Sequence, residues 1–82
     1  MFTRIEEPVQ VETYFSGGGV TPRWFIWNGR RIEVKEVTQA WEERAGGRKT
    51  YHFAVYDGQS VFSLLFSPAG LSWILSGVSD GL

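Results

Sequence analysis

The sequence predicts an all-β fold: about six antiparallel strands in a meander, forming a small, strongly curled sheet or a half-open barrel. Three observations favour this fold class. Apolar and polar residues alternate with the two-residue period of a strand. The dipeptides Asn28-Gly29 and Asp57-Gly58 are typical of tight hairpin turns. No stretch has the period of a helix. A flat sheet that buries one face in a dimer is the alternative architecture.

Length and composition predict one β domain spanning residues 1–82. Thirteen aromatic residues supply the bulk of its core. Cysteine is absent, which excludes disulfides and thiolate metal sites and is compatible with a cytoplasmic location. The start of the chain lacks the features of a signal peptide. The uncharged stretch 58–79 is interrupted by proline, glycine and serine, so no membrane role is predicted.

The first strand is predicted from the alternation between Val9 and Phe15. Residues 16–22 read Ser-Gly-Gly-Gly-Val-Thr-Pro, and we expect them to form a flexible glycine-rich loop. No helix-forming segment follows these glycines. A phosphate-binding loop, which needs the N-terminus of such a helix, is therefore not predicted.

The ribbon from Arg23 to Arg44 is predicted to be two strands joined by the Asn28-Gly29 turn. This register places Phe25 opposite Ile32. Its core face carries Phe25, Trp27, Ile32 and Val34. Further along, Val37 and Trp41 have the opposite parity. A β-bulge near Lys35-Glu36 is expected to return them to the core face and to bend the strand.

Three further reversals are predicted, at residues 45–47, 57–58 and 67–70. The expected cross-strand pairs are Trp41 with Tyr51, Glu43 with Lys49, Phe53 with Phe62, and Leu64 with Trp73. The three turns together produce one continuous apolar face, formed by Tyr51, Phe53, Val55, Phe62, Leu64 and Phe66. This agreement between independent turns supports the assignment of an inner and an outer face. A sheet curled around such a core is SH3-like or similar.

Val61, Leu65 and Ile74 lie on the opposite, outer face of the last hairpin, where only serines separate them. An uncharged and partly apolar face of this kind is usually covered. It therefore predicts a protein-interaction surface, with either an unidentified protein or a homodimer mate as the partner. Cover from within the chain, by residues 1–15 or 78–82, is the alternative.

The charges are unevenly distributed. The net charge is −1, but residues 23–49 carry a net +3 and each flanking segment carries −2. Trp24, Arg31 and Lys35 are predicted to share one face, together with the more distant Arg44 and Lys49. Exposed aromatics among bases can hold single-stranded nucleic acid by stacking and phosphate neutralisation. Weak nucleic-acid binding is therefore the alternative function. The simpler interpretation is an ordinary surface on which the aliphatic parts of arginine side chains pack.

Catalytic and metal sites are not predicted. His52 is the only histidine and is expected on the outer face, next to Ser63. A general base needs an orienting partner and a nucleophile, and neither can be assembled from the sequence. The pairs Glu6-Glu7 and Glu42-Glu43 point to opposite faces of their strands. We therefore expect a non-enzymatic protein without a cofactor.

Phe25, Trp27, Gly29 and Arg30 form a Phe-x-Trp-x-Gly-Arg pattern, which Trp41, Trp73-Ile74-Leu75 and Asp80 follow. The pattern resembles a family of small uncharacterised bacterial proteins, a domain of unknown function. That family is weakly associated with error-prone Y-family DNA polymerase proteins. The resemblance implies an accessory role near DNA repair and no catalytic residues. Residues 42–47 depart from its arginine- and tryptophan-rich segment, which weakens direct DNA contact.

Overall fold

The computed structural model describes residues 1–80. They form one open sheet of seven antiparallel strands, and the sheet is not closed into a barrel. The strands are β1 (Phe2–Ser16), β2 (Gly19–Trp27), β3 (Arg30–Glu33), β4 (Glu36–Ala45), β5 (Arg48–Tyr56), β6 (Ser60–Ser67) and β7 (Ser72–Asp80). Within these residues no helix could span a membrane. The predicted domain also included Gly81 and Leu82, which lie outside the described residues.

The all-β class is confirmed, with seven strands where about six were predicted, and consecutive strands pair as in a meander except β3 and β4. The strand order is β3-β2-β1-β7-β6-β5-β4, so the first strand lies in the middle of the sheet. One part of β1 pairs with β7 and the other pairs with β2. The strand can reach both partners because it is 15 residues long, and its pairing with β7 also contains a register shift around Glu6, whose φ is 58°.

The predicted glycine-rich loop at residues 16–22 is much shorter in the structure. Gly17 and Gly18 alone make the turn, with φ values of 56° and 79°. These values suit a two-residue hairpin turn, which glycine adopts without steric cost. Residues 19–22 belong to β2, where they pair with the end of β1.

The central ribbon has the predicted register across Asn28-Gly29, with Phe25 opposite Ile32. The chain then leaves β2 and joins β5. The amide of Val34 donates to the carbonyl of Arg23 over 3.0 Å, and the amide of Lys35 donates to the carbonyl of Tyr56 over 2.8 Å. The two edge strands, β3 and β4, are thus consecutive in the chain, which requires a strongly curled sheet.

The prediction for Trp41 is wrong. Gly46 and Gly47 both have positive φ and form a two-residue turn, so Trp41 lies opposite His52 and not Tyr51. The register of this hairpin also shifts between Val37 and Gln39. That shift keeps Val37 against the core and turns Trp41 outward, where 48% of its surface is exposed.

The register of β5 with β6 differs from the predicted one by two residues, and so does the register of β6 with β7 as far as an irregularity between Ser63 and Leu64. Phe53 pairs with Leu64, because the turn after β5 is longer than predicted. The Asp57 carboxylate closes this turn by accepting hydrogen bonds from the amides of Gln59 and Ser60. Trp73 correspondingly pairs with Phe66. Side chains alternate with a period of two, so a shift of two leaves every residue on its predicted face.

The core lies on the concave side of the curled sheet. Its buried members are Phe25, Ile32, Phe53, Val55, Phe62, Leu64, Phe66, Trp73 and Leu75. Phe25 of β2 meets Phe62 of β6 edge to face, with ring centroids 5.3 Å apart. Because these strands are not neighbours in the sheet, this contact excludes the alternative of a flat sheet.

Candidate protein-interaction face

The convex side of β5, β6 and β7 carries the three residues predicted to bind a partner. Leu65 pairs with Ile74 of β7. Val61 precedes Leu65 by four residues in β6, on the same face, and lies opposite Tyr56 of β5. All three are half-buried, because neighbouring strands flank them on both sides. The structure thus brings Val61, Leu65 and Ile74 together on one face.

An uncharged row of side chains crosses five strands on this face. Successive pairings connect Trp41, His52, Leu65, Ile74 and Pro8 from β4 to β1. The next row holds Ala54, Ser63 and Gly77 between Gln39 and Arg4. The centre of the convex face therefore carries no permanently charged side chain.

Trp41 and His52 form an aromatic stack on this face. Their rings are stacked with centroids 5.1 Å apart and planes inclined by 7°. Nε2 of His52 lies 2.8 Å from a carboxylate oxygen of Glu43 and 3.4 Å from the Thr50 hydroxyl. Sequence reasoning missed this cluster, although a two-residue turn at Gly46-Gly47 is the signal that would have predicted it.

Part of the convex face is covered from within the chain. The ring of Phe2 lies against the backbone of Gly77, so close that a β-carbon there would meet it. Residues 78–80 form the end of β7 and pair with β6 and β1. Cover by the N-terminal residues is thus present at one end of the face. Gly81 and Leu82, the remainder of the other predicted cover, lie outside the described residues.

The structure brings together only two of the three residues proposed to bind nucleic acid. The guanidinium of Arg31 lies 4.1 Å from the ring centroid of Trp24 and is also paired with Glu33. Glu12 lies opposite Trp24 on the same face. The side chain of Lys35 instead lies against Gly58. Two carboxylates beside the Trp24–Arg31 stack disfavour the approach of a polyanion.

The remaining predicted bases belong to the β4–β5 hairpin. Lys49 pairs with Glu42 over 3.3 Å, and its ammonium lies 5.0 Å from the ring centroid of Tyr51. Contacts with the Tyr51 side chain and then with the Glu42 carboxylate raise the pKa of Lys49 above its ordinary value. Arg44 lies directly opposite Lys49. Lys49 is thus engaged within its own hairpin.

Histidine, aspartate and glutamate side chains of residues 1–80 form no group of three that could hold a metal ion. The Glu43 carboxylate and the Thr50 hydroxyl approach the same nitrogen of His52. A relay in which a carboxylate orients the imidazole and a hydroxyl loses its proton needs the two opposite ring nitrogens. This cluster therefore lacks the arrangement of a nucleophile and its base.

The curled seven-stranded sheet defines a small all-β domain. The chain belongs to the family DUF6504, a domain of unknown function, whose model matches residues 1–80. No curated protein and no solved structure matches the chain.

Proposed function

We propose that this domain is a non-enzymatic protein-interaction module that associates through the convex face around Val61, Leu65 and Ile74. The observation that carries the proposal is the uncharged row that crosses five strands from Trp41 to Pro8. Exposed apolar patches bounded by polar residues mark interaction sites. A second copy of the chain is the partner to be tested first, since a sheet face packs well on another sheet.

Trp41 is the residue from which we expect the largest contribution to binding. Tryptophan is enriched among residues that dominate interface energies. The stack on His52 holds the Trp41 ring in one orientation before binding, and this reduces the entropy lost on association. Glu43 holds the imidazole in turn. The arrangement is pre-formed and needs no rearrangement of the strands.

Substitution of Leu65 by lysine is expected to abolish self-association. A charge at the centre of the face would have to be desolvated without a partner, which costs several kcal/mol. We expect wild-type protein to form dimers at high protein concentration in size-exclusion chromatography with light scattering. Leu65→Lys is expected to elute as a monomer at the same concentration.

The matched control for this experiment is Tyr14→Lys, which adds the same charge at an exposed position of β1, six residues along the strand from Pro8 and outside the row from Trp41 to Pro8. This variant is expected to associate like the wild type. A wild-type protein that is monomeric throughout, and that Leu65→Lys leaves unaltered, would remove self-association. Association that persists equally in both lysine variants would contradict the choice of face.

We also propose a bacterial, cytoplasmic setting and a partly open barrel of the SH3-like kind. The absence of cysteine supports a reducing compartment. The Phe25-Trp27-Gly29-Arg30 pattern supports a bacterial origin, because it resembles small bacterial proteins associated with error-prone Y-family DNA polymerases. The curl of the sheet around one core supports the barrel class.

The second candidate is a weak single-stranded nucleic-acid-binding accessory module linked to DNA repair. The stack of Arg31 on Trp24 favours it, because an aromatic ring with a guanidinium can hold a base. If this function holds, tryptophan fluorescence is quenched by single-stranded DNA at low salt and less so at moderate salt. Arg31→Ala is expected to remove the quenching, and unchanged fluorescence at both salt concentrations would exclude this candidate.

A further inference from the structure

A groove separates the second half of β1 from the turn between β6 and β7. Its volume is about 660 Å³, within the size range of ligand sites in proteins. The lining side chains are uncharged: Pro8, Val9, Gln10, Val11, Thr13, Phe15, Phe66, Leu71, Ser72 and Trp73. Phe15 contacts Phe66 across it with centroids 6.1 Å apart, yet 60% of the Phe15 surface is exposed. The groove is therefore apolar, open and without a charged group.

The backbone of β1 is open along this groove. Its pairing with β7 ends where Val9 lies opposite Trp73, and residues 10–16 pair only with β2. In residues 1–80 no other strand lies on that side. Alternate residues of an antiparallel strand direct their N–H and C=O groups away from one neighbour and toward the other side. Half of these residues are therefore expected to direct backbone groups toward the groove, and the Val11 carbonyl also accepts from the Thr13 hydroxyl over 3.2 Å.

The two outer edges of the sheet differ from this one. β4 is an edge strand, and it carries four charged side chains: Glu36, Glu42, Glu43 and Arg44. β3, the opposite edge, has only four residues and three of them are charged. Short length and charge protect sheet edges against pairing with other chains. Between Gln10 and Phe15 the single charged residue is Glu12, which does not line the groove.

Leu71 is an unusual residue at the rim of the groove. It has a φ of 49° and leaves 77% of its surface exposed. A left-handed conformation costs a non-glycine residue about 1–2 kcal/mol. Because the Leu71 side chain is exposed, its burial does not offset this cost. Strained residues of this kind concentrate at binding sites. The apolar side chain at this position is explained if something covers it.

We propose that the groove binds an extended, uncharged peptide segment of a partner protein, which adds as a strand to residues 10–15 of β1. A strand satisfies the row of open backbone groups, which a compact apolar ligand would leave unpaired. Alternate apolar side chains of the segment would contact Phe15 and Leu71. No lining group compensates a charge, so charged segments are excluded. This site meets the convex row only at Pro8 and does not depend on association through that row.

The test uses a fluorescein-labelled hexapeptide of alternating valine and threonine, carrying an uncharged glycol tail for solubility. Its binding to the full chain is measured by fluorescence anisotropy. Two further peptides carry N-methyl groups on the odd or on the even amides, so that each loses the donors of one edge. We expect one methylated peptide to bind like the parent and the other to bind at least about tenfold more weakly.

The matched variants are Leu71→Asn and Leu65→Lys. Asparagine tolerates positive φ, so Leu71→Asn should fold at least as stably as the wild type while binding the peptide about tenfold more weakly. Leu65→Lys lies on the convex face and should leave peptide binding unchanged. Failure of this proposal is thus distinguishable from failure of the proposed association.

Three outcomes would overturn the inference. The first is absence of binding by the parent hexapeptide. The second is equal binding by all three peptides, which would show that backbone pairing contributes nothing. The third is binding of the uncharged fluorescent probe N-phenyl-1-naphthylamine, lost in Leu71→Asn, without binding of the peptide, which would assign the groove to a compact apolar ligand.

Discussion

Substitution of Phe25 by alanine is expected to lower the free energy of unfolding by about 3–5 kcal/mol. The side chain is fully buried and meets Phe62 edge to face across the concave side of the sheet. Its removal leaves a cavity between strands that touch only through their side chains. Small domains have about 5–15 kcal/mol of stability in all, so the variant should unfold at a much lower urea concentration.

The control for Phe25→Ala is Tyr14→Ala, which removes an exposed ring and should change the unfolding free energy by about 0.5 kcal/mol or less. A double-mutant cycle with Phe62→Ala measures the contact itself. We expect a coupling energy of about 0.5–1.5 kcal/mol for this aromatic pair. Zero coupling would contradict the curl that brings β2 onto β6.

Substitution of Gly77 by alanine is expected to destabilise the protein by about 1–3 kcal/mol. A β-carbon at Gly77 would lie 2.6 Å from the carbonyl oxygen of Thr3 and would overlap the ring of Phe2. The ring could rotate away, but the carbonyl belongs to the neighbouring strand. The pairing of β1 with β7 must therefore open locally. Thermal unfolding followed by circular dichroism measures the effect.

Gly70→Ala is the matched control, because a β-carbon there would lie 3.5 Å from the Ser72 hydroxyl, an ordinary contact. Its effect should be within about 0.5 kcal/mol. Phe2→Ala combined with Gly77→Ala should recover only part of the lost stability, since the contact with Thr3 remains. Full recovery by the double variant would show that the ring alone opposes the β-carbon.

Local turn chemistry explains which predictions from the sequence are confirmed. The register across Asn28-Gly29 is correct, because both residues have the positive φ that a two-residue hairpin turn requires. The predicted inner and outer faces of β5, of β6 and of β7 up to Leu75 are also correct, although the registers there slip by two residues. A register error of two residues leaves each side chain on the same face of the sheet. Val61, Leu65 and Ile74 therefore share a face as predicted, although the predicted turn was inaccurate.

Trp41 shows where prediction from the sequence was wrong. The expected turn at residues 45–47 was one residue too long, and an odd slip sends a side chain to the opposite face. The register shift between Val37 and Gln39 then reverses the alternation between core face and outer face in the part of β4 that follows it. Bulges depend on the strand alongside, so the pattern within one strand cannot locate them.

By itself the sequence determined the fold class, the central hairpin and, with the exception of Trp41, which aromatic residues face the core. Each of these follows from alternation and turn residues, which are local properties of the chain. Only the tertiary structure decided that β1 lies between β2 and β7, that Trp41 stacks on His52, and that residues 10–16 border an open groove. These features depend on which distant strands meet, and the curl of the whole sheet selects those partners.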